Sequence, residues 1–197
     1  MSPRIVTTRD AIAQAAFEIV REEGCEALTV RHIAKRLGCS TQPLLYHFKS
    51  IEEIRKAAYG LAEAFRTSYI TELHGDYPHP MLEVGMRYLR FGHDEANVFR
   101  FLFQTNELSG RDLLALNDDE KLAPVIDVLQ RSAGLDREQA KLAFTSLAVM
   151  AHGYASFMAN NAMPFNEELA RQLLVNAFLG AMAPADALPN LLKHRKG

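Results

Sequence analysis

Cysteine is scarce in this chain. Cys25 and Cys39 cannot build a disulfide framework, and neither stands with histidine at the spacing of a structural zinc site. Strand signals are missing too: no run of four or more residues alternates cleanly between apolar and polar, and no Asn-Gly or Asp-Gly pair marks a hairpin. There is no Gly-x-Ser-x-Gly elbow, no glycine-rich phosphate loop and no His-Glu-x-x-His, so neither an enzyme nor a cofactor is expected. An overall basic excess is lacking as well. A net charge of −2 over 197 residues argues against a protein that coats nucleic acid or anionic membrane with its whole surface. No signal-peptide pattern opens the sequence.

One stretch lacks charge altogether. Leu142 to Asn166 is long enough to span a bilayer, yet it carries Thr145, Ser146, His152, Ser156, Asn160 and Asn161, with Gly153 mid-way. The reading preferred here is a helix buried on most of its circumference, in a soluble, cytoplasmic protein with no membrane partner.

The most informative absence is local. From Thr29 to Ile51 there is no Asp or Glu, whereas Arg31, Lys35, Arg36 and Lys49 all fall there. Residues 1–60 carry 9 Lys/Arg against 7 Asp/Glu, and residues 61–197 carry 13 against 17. The sign asymmetry is modest but concentrated.

What the sequence does contain is helix punctuation. Thr7 stands three before Asp10, and Ile12, Ala16, Ile19 and Val20 follow at helical spacing until Gly24. Thr29 caps a short helix, 30–37, stopped by Gly38, and Ser40 or Thr41 caps the next, ending near Phe48. Ser50 and Glu53 form a capping box, in which the serine accepts from the third N–H and the glutamate returns to the serine's own. The helix they open carries Ile54, Ala58, Leu61, Phe65 and Tyr69 on one stripe and runs to about Gly75. Further helices are predicted at 80–94, with Pro80 in the first turn, at 97–104, somewhere in 112–132 before Gly134, at 137–162 behind Asp136 and Gln139, and at 166–182. A loop is expected through 106–112. The fold class is therefore all-α, with about nine helices.

Two of these helices, 30–37 and 41–48, are joined by three residues. So tight a corner needs a left-handed residue and a close approach. Gly38 supplies the first and Ala34 the second, while Leu44, Ile33 and Leu37 fill the angle. This spacing is that of a DNA-binding helix-turn-helix. With the leucines inward, Thr41, Gln42, Leu45, Tyr46 and His47 fall on or near the outer side, with Ser40 before them and Lys49 beyond. Gln hydrogen-bonds base edges, Thr offers a hydroxyl and a methyl, and Leu packs on a thymine methyl. Tyr46, His47, Lys49 and the N–H groups behind Thr29 suit phosphate oxygens. A carboxylate on this face would repel the duplex, which accounts for the missing acids. Pro43, third in its helix if Ser40 caps, loses only an N–H that would have been unpaired.

The stretch "AIAQAAFEIVREEGCEALTVRHIAKRLGCSTQPLLYHFKSIEEI", Ala11 to Ile54, resembles the TetR family of transcriptional regulators. Its first helix, the "LTV", the "IA..LG" and the "LYHF.S.EE" follow that family in register. The resemblance implies phosphate contacts from Thr29, Tyr46, His47 and Lys49, and base reading by Thr41, Gln42 and Leu45. It departs at Ile51, where the family often has lysine, and at Leu45, where tyrosine is frequent. It further implies a helix-turn-helix DNA-binding domain at 1–50, a divergent ligand-sensing and dimerisation domain at 51–183 and a tail at 184–197. The expected partners are a palindromic duplex operator, a second copy of the chain and a small-molecule effector. Dimerisation would use the last two long helices, whose Ala143, Ala148, Ala151, Gly153, Ala155, Ala177, Gly180 and Ala181 allow close approach. Met86, Tyr88, Phe91, Phe103, Phe144 and His152 are candidates for a pocket taking an apolar or aromatic ligand. The seven histidines include no i, i+4 pair, and no metal site is assigned. A helical protein-interaction module, its corner merely structural, is the alternative.

Overall fold

The computed structural model describes residues 7–104 and 122–182. The tail at 184–197 and the loop expected at 106–112 lie outside them. The described residues form nine α-helices and no strand: α1 (Arg9–Glu23), α2 (Val30–Arg36), α3 (Thr41–His47), α4 (Ile51–Thr71), α5 (Pro80–Asp94), α6 (Ala96–Phe103), α7 (Ala123–Ala133), α8 (Arg137–Asn161) and α9 (Glu167–Met182). A 3₁₀ turn, Cys25–Ala27, which the sequence did not announce, leads from α1 towards α2.

The helix ends follow local chemistry, with three corrections. Thr8, not Thr7, caps α1, its hydroxyl accepting from the Ala11 N–H at 3.1 Å. Ser50 caps α4 as expected, accepting from Glu53 N at 3.3 Å, but Glu53 Oε2 accepts from Lys49 N at 3.0 Å rather than from the serine's own N–H. The third correction concerns the end of α4, which stops at Thr71 rather than near Gly75. There the buried Glu83 carboxylate accepts from His74 N at 2.5 Å and Gly75 N at 3.1 Å, taking N–H groups that a longer helix would have turned back on itself. Asp136 and Gln139 make a complete capping box on α8, and Gly134 ends α7 in the left-handed region at φ 67°.

α1 packs on α4, α2 and α3 pack on α1 and on each other, and α8 lies against α5, α6, α7 and α9. One cluster of buried apolar side chains runs without a break from Ile12, Ile33, Leu44 and Phe48 through Ile54, Phe91 and Phe99 to Met158 and Leu174. Two glycines of α5, seven residues apart, allow its neighbours close. A Cβ on Gly85 would stand 2.8 Å from the Leu174 side chain, and one on Gly92 only 2.6 Å from the Ala155 Cβ. Ala143, Ala151 and Ala155, expected between protomers, are therefore buried within the chain. The outward side of α8 carries large apolar groups instead: Leu142, Val149 and Phe157 are 59%, 51% and 63% exposed. Buried on most of its circumference was the expectation for this helix. In fact only 28% of its most apolar window is buried, although by length and composition alone it could cross a membrane.

Candidate nucleic-acid interface

The corner between α2 and α3 is closed from inside. Gly38 sits at φ 63°, its N–H donates to Lys35 O at 3.1 Å, and Cys39 N donates to Ala34 O at 3.0 Å. Ala34, Ile33 and Leu44 are buried at the angle, and Phe48 behind them is 1% exposed. With Leu44 pointing in, the rest of α3 turns out. Gln42 and Lys49 are exposed, Leu45 is 54% exposed and Tyr46 86%, while Thr41 and His47 are half-buried. Ser40 holds the cap position without a side-chain hydrogen bond to the helix, which leaves its hydroxyl uncommitted. The exposed Thr29 caps α2 by accepting from His32 N at 3.2 Å, and its own O–H proton remains to be donated. All eight residues singled out from the sequence thus fall at this corner, on α3 or at the ends beside it.

Two charged residues change the electrostatic picture. Arg36 is not a free cation: it is bonded to Glu22 and lies 3.5 Å from Glu18 and 3.6 Å from Glu23 of α1. Those carboxylates hold its guanidinium even more firmly protonated, chiefly through the Glu22 hydrogen bond. Counting charge along the chain could not reveal this, because the acids come from the preceding helix. Arg9 was missed altogether. It donates to the His47 carbonyl at 2.6 Å and sits 4.0 Å above the Phe48 ring, so a cation closes the carbonyl end of α3. An Arg 38 residues upstream of His47 gives no local signal of this.

A short, acid-free helix turned outward on a left-handed glycine corner, with donors at both ends, is a nucleic-acid-reading arrangement. Residues 12–58 match the family described as bacterial regulatory proteins, tetR family. That match spans α1 to the first part of α4, the helix-turn-helix and the helices that frame it. Over 88% of its length and 90% of the relative's, the chain is 25% identical to an uncharacterized HTH-type transcriptional regulator, YobS, of Bacillus subtilis (strain 168). It is 39% identical to the tetracycline repressor protein class C of Escherichia coli over 30% of this chain and 26% of that one. Among solved structures, a tetR-family transcriptional regulator from Streptomyces coelicolor superposes with a TM-score of 0.66 at 16% identity, covering 88% of this chain and 81% of that one. A second, from Rhodococcus sp., gives 0.58 at 20% identity over 89% and 98%. These two likenesses are of fold.

The six pocket candidates are not brought to one place. Met86 and Phe91 are wholly buried. Phe144 packs in a separate cluster with Ile126, Leu129 and Ala140. Tyr88, Phe103 and His152 do meet: the Tyr88 hydroxyl lies 2.9 Å from His152 Nδ1, and the Phe103 and His152 rings are 4.9 Å apart. Burial lowers the His152 pKa and raises that of Tyr88, so both stay neutral near pH 7. A cleft of about 350 Å³ opens elsewhere, between His93, Ala96, Arg100, Met158 and Met163. No group of three His, Cys, Asp or Glu among the described residues could hold a metal ion.

Proposed function

We propose that this regulator is a ligand-responsive repressor that binds a palindromic operator as a homodimer and is released by a small apolar or aromatic effector. The observation that carries the reading is the outward face of α3, where Gln42, Leu45 and Tyr46 stand exposed on a corner free of acids. In this reading Thr41, Gln42 and Leu45 contact bases, and Ser40, Thr29, Tyr46, His47 and Lys49 hold the backbone on either side. Residues 1–50 read DNA, and residues 51–183 sense and dimerise. The exposed Leu142, Val149 and Phe157 of α8, with Leu169, Val175 and Leu179 of α9, support a partner of the same kind, since so long an apolar stripe is rarely left to water. A two-fold dimer sets its two reading helices roughly 34 Å apart, one turn of DNA. Covering that stripe also accounts for the hydropathy of α8 in a cytoplasmic protein away from the membrane. An effector that favours the splayed arrangement by a few kcal/mol lowers operator affinity through α4.

The test is selection of bound genomic fragments followed by gel shift in rising salt. The expected result is a two-fold symmetric consensus, with log K falling by about 0.9 per phosphate neutralised for each unit of log salt. Gln42→Ala then relaxes preference at one base pair per half-site, worth about 1–3 kcal/mol. Binding that ignores salt, or an asymmetric consensus, refutes the proposal.

A further inference from the structure

We propose that the effector is a small acid, a carboxylate on an apolar or aromatic body, held by Arg66 beside the Tyr88–His152 pair. This rests on the ligand-responsive reading above and narrows it.

The starting observation is a cation with no ion-pair partner among the described residues. Three arginines of the sensing helices have partners: Arg87 donates to Tyr69 O at 2.7 Å, Arg90 to Glu167 at 2.6 Å, and Arg100 to the Ala159 carbonyl. Arg66, about three-quarters of the way along α4 and half-buried, is different. Its Nε is shut off from solvent and makes no hydrogen bond, and none of the ion pairs among the described residues includes it. A buried N–H of a charged group left without an acceptor is costly, and an apolar side chain of the same length would avoid that cost.

Its surroundings are aromatic. The guanidinium carbon stands 5.7 Å from the centre of the Phe103 ring, which packs 4.8 Å from Phe99 and 4.9 Å from His152. Arg66, Tyr88, Phe103 and His152 are each half-buried, so none of the four is sealed from solvent. Nor is the Tyr88–His152 contact the end of its hydrogen bonding. If Nδ1 accepts from the hydroxyl, the histidine carries a proton on Nε2; if Nδ1 donates, the hydroxyl proton is free. In either tautomer one donor of the pair is unspent. A guanidinium offers a carboxylate two parallel N–H donors, the leftover donor of the pair adds a third bond, and the rings take the apolar body. A neutral ligand offers Arg66 at most a carbonyl acceptor, with no opposing charge.

The experiment is isothermal titration of the full chain with phenylacetate, 4-phenylbutyrate and decanoate, each against its primary amide, in the parent, Arg66→Met and Arg66→Lys. At least one acid is expected to bind tenfold or more tightly than its amide, with the difference abolished in Arg66→Met and partly kept in Arg66→Lys. Without ligand, Arg66→Met leaves the thermal midpoint unchanged or raises it. A lowered midpoint makes Arg66 a structural residue and overturns the proposal. So does a panel in which no acid outbinds its amide, or a preference that survives Arg66→Met. Acid binding without release of DNA would refute the effector reading and leave this site standing. Release by a neutral compound, untouched by Arg66→Met, would do the reverse.

Discussion

A methyl group added at Gly92 tests the crossing on which the sensing half is built. In Gly92→Ala the new Cβ would fall 2.6 Å from the Ala155 Cβ, 3.0 Å from its Cα and 3.2 Å from its carbonyl oxygen. Two of these atoms are backbone, so no flexible side chain can swing clear, and α5 and α8 must separate. Overpacking of this kind costs about 1–3 kcal/mol, offset by about 1 kcal/mol of better helix propensity. The net expectation is a loss of up to about 2 kcal/mol. Gly60→Ala is the control. It adds the same methyl to an exposed position of α4 where nothing lies within 4 Å, so only the propensity gain of about 0.5–1 kcal/mol remains. Urea unfolding at one fixed protein concentration should move the two midpoints in opposite directions, with m unchanged. The crossing also has a functional readout. Tyr88 precedes Gly92 by one helical turn and His152 precedes Ala155 by nearly one, so the same separation should loosen the Tyr88–His152 contact. A Gly92→Ala chain as stable as Gly60→Ala would refute the close-packed crossing.

Four further outcomes follow from single residues. Arg9→Met should lower stability by about 1–2 kcal/mol, through a carbonyl hydrogen bond and a cation–π contact, and weaken operator binding in a gel shift at fixed salt. Phe157→Glu places a charge on the exposed face of α8 and should give a folded monomer by sedimentation, with normal far-UV circular dichroism. Glu83→Ala removes the acceptor for His74 N and Gly75 N and should cost about 2 kcal/mol in thermal denaturation, a hydrogen bond to a charged group being worth about 1.5–3 kcal/mol. His152 has its pKa lowered by burial, so the unfolded chain binds its proton first, and the stability this residue contributes is lost as pH falls below about 6.5. His152→Phe should be less sensitive to pH across that window than the parent, as measured by unfolding at a series of pH values.

Much of this was legible along the chain because it is governed by neighbours in sequence. Helix ends at Gly24, Gly134, Asp136 and Pro80, and the Ala34–Gly38–Leu44 corner, depend on residues within a turn or two, where caps, propensity and left-handed glycines act. Once Leu44 must point inward, helical period alone turns Gln42, Leu45 and Tyr46 outward. Other features needed distant partners. Arg36 is neutralised by acids on α1, Arg9 closes a helix 38 residues away, and Glu83 cuts α4 short from the helix that follows.

The sequence by itself determined that the protein is helical and that one short helix near its start is stripped of acids, since both follow from residue type and spacing. Tertiary structure alone decided what the later helices do with their surfaces. Small residues at 143, 151 and 155 are used within the chain and large apolar ones at 142, 149 and 157 are left outside, because Gly85 and Gly92 let α8 and α9 sink onto α5 along one edge only. The same packing left the guanidinium of Arg66 against the Phe103 ring, with no anion paired to it among the described residues. No pattern of spacing could predict that, because whether a charge is paired depends on which helices meet.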